Sequence, residues 1–259
     1  MNFKALTLTI FCENNVAKYP SKSAKEFKQL LISHSDAEKA KILQRFFKTQ
    51  EGEYGYGDKF LGVKVPQIRL LVKENPITEL SEIQKLLQDE IHECRSAALI
   101  HLERLFSNSK RNEKLQKTIF DFYLKHTKYI NNWDLVDISA PKIVGKYLFD
   151  KSKQQLFDLA TNGDLWQKRI AIISTLYFIK KGELDTTFQL AEILIDSQED
   201  LMQKAVGWML REAGKINHER EMEFLLANDR YKKMPRTMLR YAIEKFDENL
   251  RQSFLKGTI

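Results

Sequence analysis

Trp133 and Asp137 stand four residues apart in the run Asn131-Asn132-Trp133-Asp134-Leu135-Val136-Asp137, with Ser139-Ala140-Pro141 behind it. On a helix that spacing projects both side chains from one face, a turn from each other. An indole beside a carboxylate suits a cationic or electron-poor guest, because the ring offers its negative face and the carboxylate a full charge. Taken alone, the pair also reads as a core anchor next to a solvated or capping acid, since core aromatics outnumber site aromatics. The elements that carry the pair have to decide between the two.

Those elements are helices. The chain has 259 residues, 43% of them hydrophobic and 30% charged, with only 10 Gly and 5 Pro. That is the balance of a soluble globular protein with a sizeable core and long helices, not of a loop-rich β fold. The formal net charge of +7 points to a polyanionic partner. Two cysteines, Cys12 and Cys94, make neither a disulfide framework nor a metal cluster, which fits a reducing, cytoplasmic setting. The apolar run Ala5-Leu6-Thr7-Leu8-Thr9-Ile10-Phe11 is followed by Glu13-Asn14-Asn15 and lacks the cleavage site of a signal peptide. Residues 1–20 read as an extension, strand-like or loosely packed, ahead of one domain over 21–259. No segment has the roughly 18 apolar residues that a membrane span needs.

The first helix is expected after Pro20, capped by Ser21 or Ser23, with Phe27, Leu30 and Leu31 as its apolar stripe. Ser35-Asp36-Ala37-Glu38 opens a second, whose apolar positions are Ala40, Ile42, Leu43, Phe46 and Phe47. Four glycines then fall in the loop Gly52 to Gly62, which leads to a helix starting near Pro66. Such a loop can cradle phosphate, but no Walker or dinucleotide fingerprint is present. It reads instead as a loop shaped by glycine and plugged by Tyr54, Tyr56 and Phe60.

From Pro66 onward the pattern is helix after helix, and it has a register. Arg95, Arg169 and Arg240 each precede a small residue by two places and recur about two units of roughly 36 residues apart. Trp133 falls halfway between the first two and Trp208 halfway between the last two. A period of this length in helical sequence means stacked helix pairs. The fold class is therefore all-α, a HEAT-like helical-repeat solenoid. One helix of each pair lines a concave groove, and the register puts Trp133, Arg169 and Trp208 in equivalent helices of successive units.

Other chemistries drop out. The five histidines form no H-x-x-x-H, His92-Glu93-Cys94 has no C-x-x-C partner for zinc, and no G-x-S-x-G occurs. Cys94 lies in an apolar helix and reads as a core thiol. No cofactor and no metal are expected. One acid, two tryptophans and several arginines remain, together with the basic segment from Arg230 to Arg240 that carries Lys232, Lys233 and Arg236. With the positive net charge, that segment reads as a phosphate contact, and Arg211, on the face of Trp208, can join it.

The chain resembles the AlkD-type DNA alkylation repair family of HEAT-like-repeat glycosylases from about Ser21 to Phe254. The resemblance rests on Gly55-Tyr56-Gly57-Asp58-Lys59-Phe60-Leu61-Gly62, Asn132-Trp133-Asp134-Leu135-Val136-Asp137, Leu165-Trp166-Gln167-Lys168-Arg169 and Gln203 through Glu212. It implies that Asp137 is the catalytic acid, that Trp133 and Trp208 contact substrate, and that Arg169 is the active-site arginine. It also implies a monomeric, monofunctional enzyme that excises 3-alkyladenine and 7-alkylguanine from double-stranded DNA without base flipping. The readings from other classes are a non-catalytic DNA-binding solenoid and a protein-binding scaffold.

Overall fold

The structure, a computed structural model, describes residues 21–259, so the expectation for residues 1–20 lies outside it. The described residues are all-α, with no β-strand among them; Lys59 and Ile91 are joined by a single parallel bridge. They gather into two compact units, one running up to Ile119 with Lys128–Leu135 added, the other made of Phe120–Thr127 and Val136–Ile259.

In the first unit, α1 (Ala24–Ser33) begins where the sequence supplies a cap. Ser23 and Glu26 form a capping box, each side chain accepting from the other's backbone N–H. Phe27 and Leu31 are buried, as the stripe requires. Helix α2 (Ala37–Phe46) is capped by Asp36, but none of its residues is buried. Of its apolar positions, Ile42 and Phe46 are 64% and 60% exposed. Only Phe47, just past the helix end, turns into the core, where it stacks on Phe60. An amphipathic pattern buries its face only where a partner surface exists, and the glycine-rich loop meets α2 at Asp36, Lys39 and Ala40 without covering Ile42 or Phe46. Helices α3 (Val65–Glu74) and α4 (Leu80–Leu87) pack on α5 (His92–Asn108), the unit's central helix, which is buried from His92 through Leu102.

The glycine-rich loop closes on α5 through one carboxylate. Glu93 accepts from the backbone N–H groups of Leu61 (3.0 Å), Gly62 (2.8 Å) and Val63 (3.3 Å). Gly62 has φ +85°, and a Cβ there would run into Asp36 O. The loop's amides thus hold an anion, but the anion is the protein's own side chain. Phe60 plugs the loop as expected and Tyr54 is half-buried, whereas Tyr56 is 65% exposed and plugs nothing.

Helices α6 (Glu113–Lys125) and α7 (Trp133–Ala140) follow. Pro141 then ends α7 in an unusual way. It has no N–H to give the carbonyl of Asp137, and its ring would crowd that oxygen. The backbone widens into a π-helical turn at Pro141–Gly145 before α8 (Lys146–Leu148).

The rest of the second unit is built in two layers. The π turn, α10 (Leu165–Ile179), α12 (Asp200–Ile216) and α15 (Arg236–Ala242) pack side by side in chain order. Against them lie α9 (Gln154–Asn162), α11 (Asp185–Ile193) and α13 (His218–Leu226). Short α14 (Arg230–Lys233) and α16 (Glu248–Lys256) complete the chain. This alternation is the stacked-pair register expected from the period. Arg169, Trp208 and Arg240 stand on α10, α12 and α15, neighbours in a single layer. The pairs approach closely because Gly145 and Gly207 carry no side chain where α10 and α15 come against them. No helix among the described residues is long and apolar enough to cross a membrane.

Candidate active site

Asp137 and Arg169, separated by a whole helix pair in sequence, meet as a forked ion pair. Arg169 Nε donates to Asp137 Oδ1 at 3.0 Å and Nη2 donates to Oδ2 at 2.9 Å. The third nitrogen, Nη1, donates to the carbonyl of Leu201 at 2.6 Å, so α10, α7 and the start of α12 are tied at one guanidinium. The arginine side chain is 6% exposed and the aspartate 16%. A planar fork of this kind fixes both position and orientation of a carboxylate. Below it, Tyr123 and Ser139 share a buried hydroxyl–hydroxyl hydrogen bond of 2.9 Å.

Arg169 enters α10 through a strong N-terminal stop. Asp164 caps the helix and Gln167 returns the bond to the Asp164 N–H. One turn later the side chain of Arg169 points inward rather than to solvent. An Arg169→Lys variant keeps the charge but cannot fork onto Asp137 and reach Leu201 together. It should lose at least tenfold in activity and about 1–3 kcal/mol in stability, measured by product release and thermal unfolding.

Trp208 is half-buried, and its Nε1 donates to Glu212 Oε1 at 3.1 Å. Glu212 also takes Lys215 at 2.7 Å and Arg211 at 3.5 Å. Burial raises the Glu212 carboxyl, but hydrogen bonds and charge from Lys215, Trp208 and Arg211 more than offset this and hold it below its ordinary value. Arg211 is paired with Glu244 as well, so it sits in an acidic clamp rather than free on the surface. Of the basic segment, Lys232 pairs with Asp229 at 3.0 Å and Arg236 donates to Leu255 O at 2.8 Å. Lys232, Lys233, Arg236 and Arg240 are all exposed.

In the first unit, Trp133 is framed by aromatics. Its ring stacks on Phe47 at 5.3 Å with planes 20° apart, and Phe46 meets it edge-on at 5.8 Å. Its Nε1 donates to the Tyr54 hydroxyl at 3.3 Å. Behind this stack lies a buried cluster in which His92 bridges Asp58 and Asp134, while Arg95 Nη2 lies 2.6 Å from Asp58 Oδ1. Burial disfavours a charge on His92, but the Asp134 carboxylate and hydrogen bonds to Asp134 and Asp58 outweigh it and lift the imidazole to about 9. A raised folded-state value means stability that is complete below the ordinary 6.5 and lost as pH climbs through about 9. The unfolding midpoint should therefore drop between about pH 6.5 and 9, and His92→Gln should flatten that drop.

Glu212, Tyr54, Phe47 and the His92 cluster were not singled out as site residues from sequence. Glu212 had a signal, because Trp208…Glu212 repeats the four-residue spacing of Trp133…Asp137. The others are joined by long-range contacts that no local spacing announces. Cys94 is buried as a core thiol and pushed up to about 12 by burial. Among the described residues no group of His, Cys, Asp and Glu is placed to hold a metal ion.

A profile described as "DNA alkylation repair enzyme" matches residues 27–246 of the chain. Among solved structures, one described as a predicted DNA alkylation repair enzyme from Enterococcus faecalis is similar, with a TM-score of 0.62 at 18% identity, covering 83% of this chain and 97% of that one. At that identity the likeness speaks for the fold alone. Comparison with curated proteins finds no match.

Proposed function

The chain belongs to the DNA alkylation repair enzyme family, and from that premise we propose that it is a monofunctional glycosylase. Its substrates are 3-alkyladenine and 7-alkylguanine in duplex DNA, and it hydrolyses their N-glycosidic bond without flipping the base. The observation that carries the reading is the forked Asp137–Arg169 pair. It sets a carboxylate against a guanidinium, fixed in direction and still partly open to solvent.

The chemistry asks for little else. Alkylation at N3 or N7 makes the purine a cation, so when the C1′–N9 bond breaks the base leaves neutral with the electron pair and needs no general acid. The barrier is the positive charge that develops on the deoxyribose. Asp137 stabilises that oxocarbenium ion and orients the water whose oxygen bonds to C1′, the water's proton passing to the carboxylate or to solvent. Trp133 and Trp208 have the role that the family resemblance gives them, substrate contact, for which an indole face suits a cation or a sugar. Arg169 is the counter-charge that keeps Asp137 ionised and in place. Lys232, Lys233, Arg236 and Arg240, with Arg211 if Glu244 releases it, contact phosphates.

The test is release of free 7-methylguanine from methylated duplex DNA, with the spontaneous background subtracted. Release should exceed background severalfold, and duplex affinity should fall steeply with added salt, as several phosphate contacts require. Salt-sensitive binding with no release above background would leave a non-catalytic DNA-binding protein. Absence of duplex binding would overturn both.

A further inference from the structure

His92 is buried, 2% exposed, and the proposed reaction makes no use of it. Its Nδ1 lies 3.1 Å from Asp58 Oδ2 in the glycine-rich loop, and its Nε2 lies 2.8 Å from Asp134 Oδ2 in the first turn of α7. A neutral imidazole donates from one nitrogen only. Two carboxylates at hydrogen-bonding distance therefore call for a proton on both, which makes the ring a cation. The charges around it balance within the cluster. Asp58 and Asp134 are countered by His92 and Arg95, and Asn132 Nδ2 adds a donor to Asp58 at 3.3 Å.

The cluster reaches Trp133 by two routes. Asp134 is its neighbour on the same turn of helix. Phe47 packs on the imidazole at 4.9 Å and on the indole at 5.3 Å, while Phe60 closes the group against His92 at 4.7 Å. The loop that carries Asp58 also carries Tyr54, the acceptor for Trp133 Nε1. Loss of the bridge would separate the loop from α7 and release the indole on two sides.

We propose that His92, as an imidazolium, is a positioning residue that locks the glycine-rich loop onto α7 and so sets the orientation of Trp133. The inference rests on the glycosylase reading for its consequence in catalysis, but not for its structural content. Buried ion clusters specify one arrangement at the expense of tolerance, and removal of one charge leaves its partner stranded. A ring held within about 1 Å of its working position is worth roughly 10²-fold in rate.

The experiment has two arms. The first reads Trp133 directly, by emission and near-ultraviolet circular dichroism in a Trp166→Phe/Trp208→Phe background. The signal should shift with a midpoint near pH 9 when His92 is present and lose that transition in His92→Gln. The groups facing the imidazole are Asp58, Asp134 and Arg95, and Tyr54 faces the indole, so a transition that persists in His92→Gln assigns the titration elsewhere and overturns the proposal. The second arm measures excision in the three-tryptophan protein. His92→Gln should lower kcat about 10–100-fold and leave KM for duplex within threefold. If His92→Gln does not fold, the charge-balanced His92→Gln/Asp134→Asn variant takes its place. Unchanged Trp133 spectra and unchanged kcat in a folded variant would overturn the inference. A shifted Trp133 signal in a protein that never releases 7-methylguanine would leave the inference standing and remove the glycosylase reading.

Discussion

Asp137→Asn should reduce release of 7-methylguanine by about 10²–10³-fold, the scale on which a preorganised charge stabilises a transition state. The substitution is nearly isosteric, so it removes charge without removing shape. The amide oxygen can still accept one bond from Arg169, but the amide nitrogen faces a guanidinium that is 6% exposed and now has no counter-charge. Leaving such a charge uncompensated destabilises by about 3 kcal/mol. The thermal midpoint should thus fall together with activity, and the two effects separate by temperature. At a temperature where both proteins are folded by circular dichroism, the rate loss should persist in full and binding to undamaged duplex should change little. A rate within tenfold of wild type under those conditions would remove Asp137 from the proposed chemistry. A rate that recovered on cooling would reduce it to a structural role.

Gly207→Ala should produce a large loss of stability from a single added methyl. Gly207 lies in α12, beside Trp208, at the contact with α15. A Cβ there would meet Met238 O and lie 2.5 Å from Tyr241 Cβ. Neither neighbour is the free end of a flexible side chain, so the two helices must move apart. Overpacking of this kind costs about 1–3 kcal/mol, or roughly 3–10 °C in the midpoint for a chain of this size. Because the displaced helix carries Trp208, activity should also fall at temperatures where the fold survives. Thermal scans with circular dichroism check the first part and excision below the transition checks the second. An exposed change on the same helix, Lys215→Ala, should stay within about 0.5 kcal/mol. A Gly207→Ala protein as stable as wild type would show that the α12–α15 contact is softer than the structure gives it.

Local order in this protein is written in short-range sequence signals. Helical periodicity, the Ser23/Glu26 and Asp164/Gln167 boxes and the repeat near 36 residues are short-range signals, and the structure follows them. The same register set Arg169, Trp208 and Arg240 in one layer. It also named Asp137 and Arg169 as residues worth watching. It could not say that they touch, nor that Arg169 spends its third nitrogen on Leu201. A spacing records which way a side chain faces on its own helix, whereas a hydrogen bond depends on what the neighbouring helix presents there. For that reason α2 has an apolar pattern and is not buried, and the glycine-rich loop, which reads as plugged by aromatics, is closed by Glu93 from another helix as well. His92 shows the limit most clearly. In sequence it was a histidine without a zinc partner. In the fold, Asp58 and Asp134, thirty-four and forty-two residues away, converge on its two nitrogens and make it a buried cation behind Trp133. Such a charge arises from proximity in a low-dielectric interior, which no spacing along the chain encodes.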